Sequence, residues 1–281
     1  MSMLVRAFAY AFAVLPLTYC IAAAAPVAFG MRTLEIPAPE SFPALAQRNP
    51  QLIATTQAAV PDGMRVVDVY ATAAAAANLG AAKQSALGRY FVLQVLRSDD
   101  GKPETFDLYA NHADFVEAEM RRRVENEREQ MDQLAAQAGQ RLHKPVGEIR
   151  AALGEGSQFL GITRKEPWGL FYSSKTRNTD GTFTISSGAI VDVDYQVLQL
   201  LVYAPYRNAA DRFWAEQALL DWAKALRAAN ADDPAIAATL SKPALTGKWS
   251  SEDFERIGRH VGLLIGVVAV VLWTSRRKRK K

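Results

Sequence analysis

The sequence predicts an α+β fold, an antiparallel β-sheet covered by helices, set between an N-terminal signal segment and a C-terminal transmembrane helix. Three observations predict it. Strand-like alternation and helix-like periodicity occupy separate stretches of the chain instead of alternating along it. Four consecutive strand patterns are joined by connections of hairpin length. Both ends of the chain are apolar and free of acidic residues, and the last six residues are all cations.

Residues 1–24 read as the signal segment. Arg6 gives a positive start, Ala7 to Leu17 form the apolar centre, and Ala22 and Ala24 supply a small-residue cleavage site before Pro26. An uncleaved membrane helix is the alternative reading of the same residues. A lipid-anchored Cys20 is disfavoured, because Tyr19 stands where a small residue is needed.

Met31 to Ile36 alternates as a short strand and ends at Pro37. Pro37, Pro39, Pro43, Pro50 and Pro61 predict an irregular stretch up to a second strand, Met64 to Tyr70. The alanine run from Ala71 to about Ala86 predicts a helix by propensity, and Arg89 to Arg97 a strong strand closed by a turn at Asp99, Asp100 and Gly101. Ala113 to His143 predicts the longest helix. Val116, Met120, Val124, Met131, Ala135, Ala138 and Leu142 form its apolar stripe, with Glu117–Arg121, Glu119–Arg123 and Arg121–Glu125 as charge pairs. A short helix follows over Val146 to Leu153.

Ser157–Lys165, Trp168–Lys175, Thr182–Asp192 and Gln196–Tyr203 then predict an antiparallel meander. Asn208 is set to cap a helix reaching Ala229, its buried stripe being Ala215, Leu219, Trp222, Leu226 and Ala229, with Asn230 as a left-handed stop. These elements define an extracytoplasmic α+β domain over 25–230. Residues 231–256, with Pro234 and Pro243, lack periodicity and read as a linker.

The predicted membrane helix covers 257–275. Its apolar centre, from Val261 through Leu263, Leu264, Ile265, Val267, Val268 and Leu272 to Trp273, is thirteen residues long. That is short of the roughly 20 residues a bilayer requires, so Arg259 and His260 must snorkel to one interface while Trp273 sits at the other. Arg276, Arg277, Lys278, Arg279, Lys280 and Lys281 form the tail. The bias of cations toward the inside makes it cytoplasmic and places the body on the periplasmic side of the inner membrane. A buried core helix would gain little from six adjacent cations. The Pro243 to Gly247 stretch lacks the spacing of a surface-sorting signal.

Charge and cysteine content exclude several functions. With 281 residues, 49% hydrophobic and 22% charged, the chain has enough apolar material for a core. The pI of 9.1 suggests nucleic-acid binding, but seven of the 33 Lys and Arg lie in the terminal segments. The body is left with 26 basic against 29 acidic residues, no footprint for phosphate. Cys20 is the one cysteine, so a cleaved chain has no thiol for disulfides, nucleophiles or metal. His112 and His143 stand at opposite ends of a helix roughly 45 Å long, too far apart to share a metal. His260 lies beside the membrane. No serine-elbow, phosphate-loop or zinc-helix motif occurs.

The candidate contact residues are Trp168, flanked by Pro167 and Gly169, with Arg164, Lys165, Lys175 and Arg177 around the same hairpin. Together they predict an aromatic-plus-cation surface; the competing reading folds Trp168 back onto the sheet. Asp192 and Asp194, two apart on a strand, project from one face and so are candidate hard-cation ligands or a carboxylate pair, or else flank a hairpin turn.

The Ile36 to Phe42 segment, the strand meander and the closing strand-to-helix unit from Val197 to Leu226 resemble PsbP-like α/β/α sandwich domains. The long Ala113–His143 helix departs from the compact form of that family. The whole also resembles uncharacterised proteobacterial exported, membrane-anchored proteins. The resemblance implies a non-catalytic accessory or binding role and transfers no functional residue. The sequence therefore predicts a membrane-anchored periplasmic binding or accessory module with one span, an envelope-protein partner, no nucleic acid and no catalytic residue, metal or cofactor. An envelope-associated hydrolase and a small-ligand or lipid-binding protein are the alternatives.

Overall fold

The computed structural model describes residues 24–61, 63–72, 74–75, 88–97, 99–103, 113–125, 127–153, 156–178 and 180–240. Residues 1–23, most of the alanine run, His112, the 257–275 span and the cationic tail lie outside the described residues. Among those described, no helix is long and apolar enough to cross a membrane.

In chain order the elements are β1 (Ala25–Phe29), β2 (Arg32–Ile36), α1 (Pro50–Ala59), β3 (Met64–Ala71), β4 (Tyr90–Leu96), α2 (Ala113–Glu125), α3 (Glu127–Leu142), α4 (Val146–Leu153), β5 (Gly156–Glu166), β6 (Gly169–Arg177), β7 (Phe183–Val193), β8 (Gln196–Pro205), α5 (Ala209–Ala229) and α6 (Pro234–Leu240). The architecture is α+β with antiparallel sheets and helices. A six-stranded sheet runs β3-β4-β8-β7-β6-β5, and β1 and β2 form a separate hairpin. The meander is present because its connections are too short to cross over, leaving antiparallel pairing as the accessible geometry.

Strand periodicity sorts the core onto the two faces. Phe91, Leu93 and Val95 of β4 join Leu198, Leu200 and Val202 of β8 on one face, where Ala215, Leu219, Trp222 and Leu226 of α5 pack with Phe29, Leu34 and Ile36 of the hairpin. Tyr90, Val92 and Leu96 face the other way, with Leu201, Tyr203 and Leu52 of α1. Helices therefore lie on both faces of the sheet.

Several expected details are corrected. Strand β1 lies just past the expected cleavage site, in residues where the sequence predicts no element; it pairs with β2 from Ala25↔Ile36 to Phe29↔Arg32. Helix α1 occupies a stretch read as irregular. Pro50 stands at its start, where the missing N–H costs nothing, and the Asn49 side chain accepts from Leu52 N at 3.1 Å. Of the predicted Ala113–His143 helix, Ala113–Glu125 and Glu127–Leu142 are helical, with residue 126 outside the described residues, and His143 ends the helix with φ 51° as a left-handed stop, Lys144 N donating to Gly139 O at 2.8 Å. Asn208 caps α5 as expected, its side chain accepting from Ala210 N at 2.9 Å. Asn230 is extended, with φ −129° and ψ 100°, and is no left-handed stop. Its amide instead bonds Glu35 N, Glu35 O and Leu226 O, each at 2.8 Å, fastening α5 to β2. Ala229, placed in the buried stripe, is exposed. The stretch read as a linker opens with α6, which Asp233 N ties to the body through a 2.7 Å bond to Asp194 Oδ1.

Candidate binding groove

Ile36 ends β2 because Pro37 cannot extend the ladder, and Pro37 to Phe42 leaves the hairpin as a separate strap. A turn closes it, with Phe42 N donating to Pro39 O at 2.9 Å and Ser41 at φ 66°. The strap is held by Trp222, whose indole N–H donates to Pro37 O at 3.0 Å. Beyond it, Ala44 bridges Tyr70 of β3.

Between this strap and α5 lies a groove of about 540 Å³. One helical face supplies its wall: Trp214, Ala218, Asp221, Trp222 and Ala225 recur at helical spacing. Ala218 and Ala225 leave the space open where larger side chains would fill it. The floor is aromatic. Phe42 meets Phe91 edge-on at 4.8 Å, and Phe91 meets Trp214 at 6.1 Å and Trp222 at 5.5 Å. Such edge-to-face contacts fix ring orientation beyond what area burial alone supplies. Both charged lining residues, Glu40 on the strap and Asp221 on the helix, are exposed acids. The guanidinium of Arg89 stacks on the Trp214 ring at 3.9 Å and pairs with Asp211 at 3.8 Å, so it braces the helix.

The sequence-predicted contact residues are not brought together. Trp168 is folded back onto the sheet: its ring meets Phe171 edge-on at 5.7 Å and lies 5.4 Å from the Arg227 guanidinium, and its carbonyl accepts from Asp192 N at 2.9 Å. Arg164 pairs with Glu166 at 3.1 Å, and Lys165 with Asp114 of α2 at 3.0 Å. Lys175 and Arg177 lie toward the other end of β6, Lys175 between the rings of Phe183 at 5.0 Å and Tyr206 at 5.3 Å. Eight residue steps of strand, roughly 27 Å, separate the start of β6 from Arg177. The aromatic-plus-cation surface is therefore two unrelated groups.

Asp192 and Asp194 sit at the β7–β8 hairpin, Asp192 within β7 and Asp194 as the first residue of the turn. Asp194 and Tyr195 take left-handed conformations, φ 48° and 60°, and Asp194 bonds Arg32. Asp192 stays in β7 beside Arg227, and burial pushes its carboxyl up to about 7. Arg227 opposes that shift, while the charges of Asp232 and Asp194 add to it. Among the described residues no group of three or more His, Cys, Asp or Glu is placed to hold a metal.

No family model and no curated protein sequence matches the chain. Two solved structures align with it: the Ran-binding protein Mog1p of Saccharomyces cerevisiae, at 11% identity and TM-score 0.32 over 76% of this chain and 97% of that one, and a mutant of protein Mog1, at 10% identity and TM-score 0.32 over 76% and 98%. At this level neither alignment bears on function.

The groove was half legible in the sequence. The strap stood out through its prolines and Trp222 through its place in the helical stripe. Trp214 and Phe91 were missed, although a tryptophan followed at helical spacing by two alanines is a readable sign of an open helix face.

Proposed function

We propose that the chain is an exported, single-span protein of the inner membrane whose periplasmic body is a binding module. Its groove takes an apolar, cation-bearing segment of another envelope protein. The observation that carries the reading is the groove: an aromatic floor that favours an apolar side chain, bordered by Glu40 and Asp221. Two carboxylates at the mouth favour a neighbouring cation and oppose an anionic ligand, and the acidic body repels nucleic acid. Placement rests on the apolar chain ends, the short span and the six terminal cations. Cleavage after Ala24 would leave β1, Ala25–Phe29, intact.

A photo-crosslinking amino acid at Gln217, which lines the groove, tests this in living cells. The expected result is one defined envelope protein crosslinked from Gln217, no such product from Gln158 on the exposed part of β5, and loss of the product when Ala218→Trp fills the groove. Recovery of the uncrosslinked body alone, or a product that survives Ala218→Trp, contradicts the reading.

A further inference from the structure

Among the described residues, the groove between the strap and α5 holds apolar surface and charge that no side chain of the body meets. Phe42 and Trp214 line it half-buried, and Ala218 and Ala225 keep its helical wall low. Earlier in α5, the acids Asp211 and Glu216 are paired with Arg207 and Arg212, at 3.2 and 2.6 Å. Glu40 and Asp221 form no ion pair among the described residues; Asp221 accepts from the Gln217 amide at 2.9 Å. An occupant suited to the groove therefore brings a large apolar side chain and cations together.

The chain carries such a sequence directly after α6. Residues 241–250 include Lys242, Leu245, Lys248 and Trp249 and no acid. The other aromatic residue before the expected span, Phe254, stands among Glu252, Asp253 and Glu255, which the carboxylates of the groove would repel. Charge thus selects Trp249 over Phe254. Reach is sufficient as well. Ala225, Asp221 and Ala218 precede Asn230 by five, nine and twelve residues, roughly 8 to 18 Å along the helix axis. α6 starts beside that same helix end, where Asp233 N bonds Asp194 Oδ1 at 2.7 Å and Arg227 pairs with Asp232 at 3.7 Å. From Leu240, the nine residues to Trp249 span up to roughly 30 Å when extended. A segment tethered this closely meets its site at an effective concentration on the order of millimolar, so contacts too weak to hold a free peptide suffice.

We infer that residues 242–249 of this same chain occupy the groove, Trp249 entering against Ala218 and Ala225, and Lys242 and Lys248 meeting Glu40 and Asp221. This rests on the groove suiting an apolar, cation-bearing segment, as proposed above, and adds its regulation: a partner must displace the chain's own segment. Docking also draws the body toward the expected span, because seven residues separate Trp249 from Ile257.

The test uses the full chain in membranes, with the photo-crosslinking amino acid at Gln217 and the products mapped by mass spectrometry. The expected result is a product within one chain that joins position 217 to a peptide from 242–249. Trp249→Ala lowers its yield about fivefold or more, and Phe254→Ala leaves it unchanged. Asp221→Lys also lowers the yield, and adding Lys248→Asp to that variant restores it, a recovery that a loss of folding would not give. The absence of an internal product, or a yield indifferent to Trp249→Ala, overturns the inference. So does a product of twice the chain's mass, in which a second copy supplies the segment. An envelope protein crosslinked from Gln217 with no internal product overturns this inference and leaves the proposed function standing. An internal product whose loss in Trp249→Ala brings no crosslinked partner supports self-occupancy and counts against the proposed function.

Discussion

Asp192 concentrates the electrostatic tension of the molecule. Its carboxyl is partly buried at the end of β7, with Oδ1 unpaired, and burial raises it to about 7 against an ordinary 3.8. Because the folded state holds the proton more tightly than the unfolded chain, the associated stability is fully present below about pH 4 and is lost as pH rises through 7. Asp192→Asn keeps the shape and removes the charge. Its stability is expected to match the wild type at pH 4 and exceed it at pH 8 by about 1–2 kcal/mol once partial exposure is discounted. Thermal melts at the two pH values check this; an equal difference at both would contradict it. Individual side chains also mark where the sequence misleads. Asn230 was expected to adopt a left-handed stop, a local reading, but its amide is claimed by Glu35, 195 residues away. Asn230→Ala is expected to cost about 1–2 kcal/mol by releasing β2 from α5, measurable by denaturant unfolding. Trp168 is decided in the same way, by Phe171 and Arg227 around it and not by its neighbours in the chain.

At the scale of elements, helix α5 and the meander govern the fold. Both were legible, because α5 has a cap and a continuous apolar stripe and the meander has alternation with short connections. Leu219→Ala removes a buried side chain, 1% exposed, from the centre of the stripe and is expected to cost about 2–5 kcal/mol. Asn208→Ala loses a cap worth about 1 kcal/mol. Phe213→Ser, on the exposed face of α5 at 68% accessibility, is expected to leave stability within about 0.5 kcal/mol. Equal losses at Leu219 and Phe213 would contradict the packing described. Elements were missed where two signals competed. In α1, Pro50 and Pro61 read as breakers although the first sits where a helix tolerates it. In β1, the residues after the cleavage site read as a mature N-terminus with no structural role. The pairing of Gln94 with Gln199 was invisible because both are ordinary strand residues until register sets them opposite each other. Pairing across strands 105 positions apart is not encoded locally.

At the scale of the whole molecule, a folded body with an aromatic groove belongs to a chain whose net positive charge sits at its ends. The six terminal cations account for all the net positive charge of the chain, so the body alone is mildly acidic. Ser187 in β7 is unsuitable for a reporter cysteine, because its side chain is wholly buried and bonded to Ser173 at 3.0 Å. Ala228, exposed in the last turn of α5, is the better position. Everything proposed about partners requires the body to lie outside the cytoplasm, and one measurement addresses this directly. In a Cys20→Ser background, Ala228→Cys is treated in intact cells with a thiol reagent that passes the outer membrane but not the inner one. Labelling in intact cells equal to that after lysis is expected; labelling only after lysis would place the body in the cytoplasm and overturn the proposed topology.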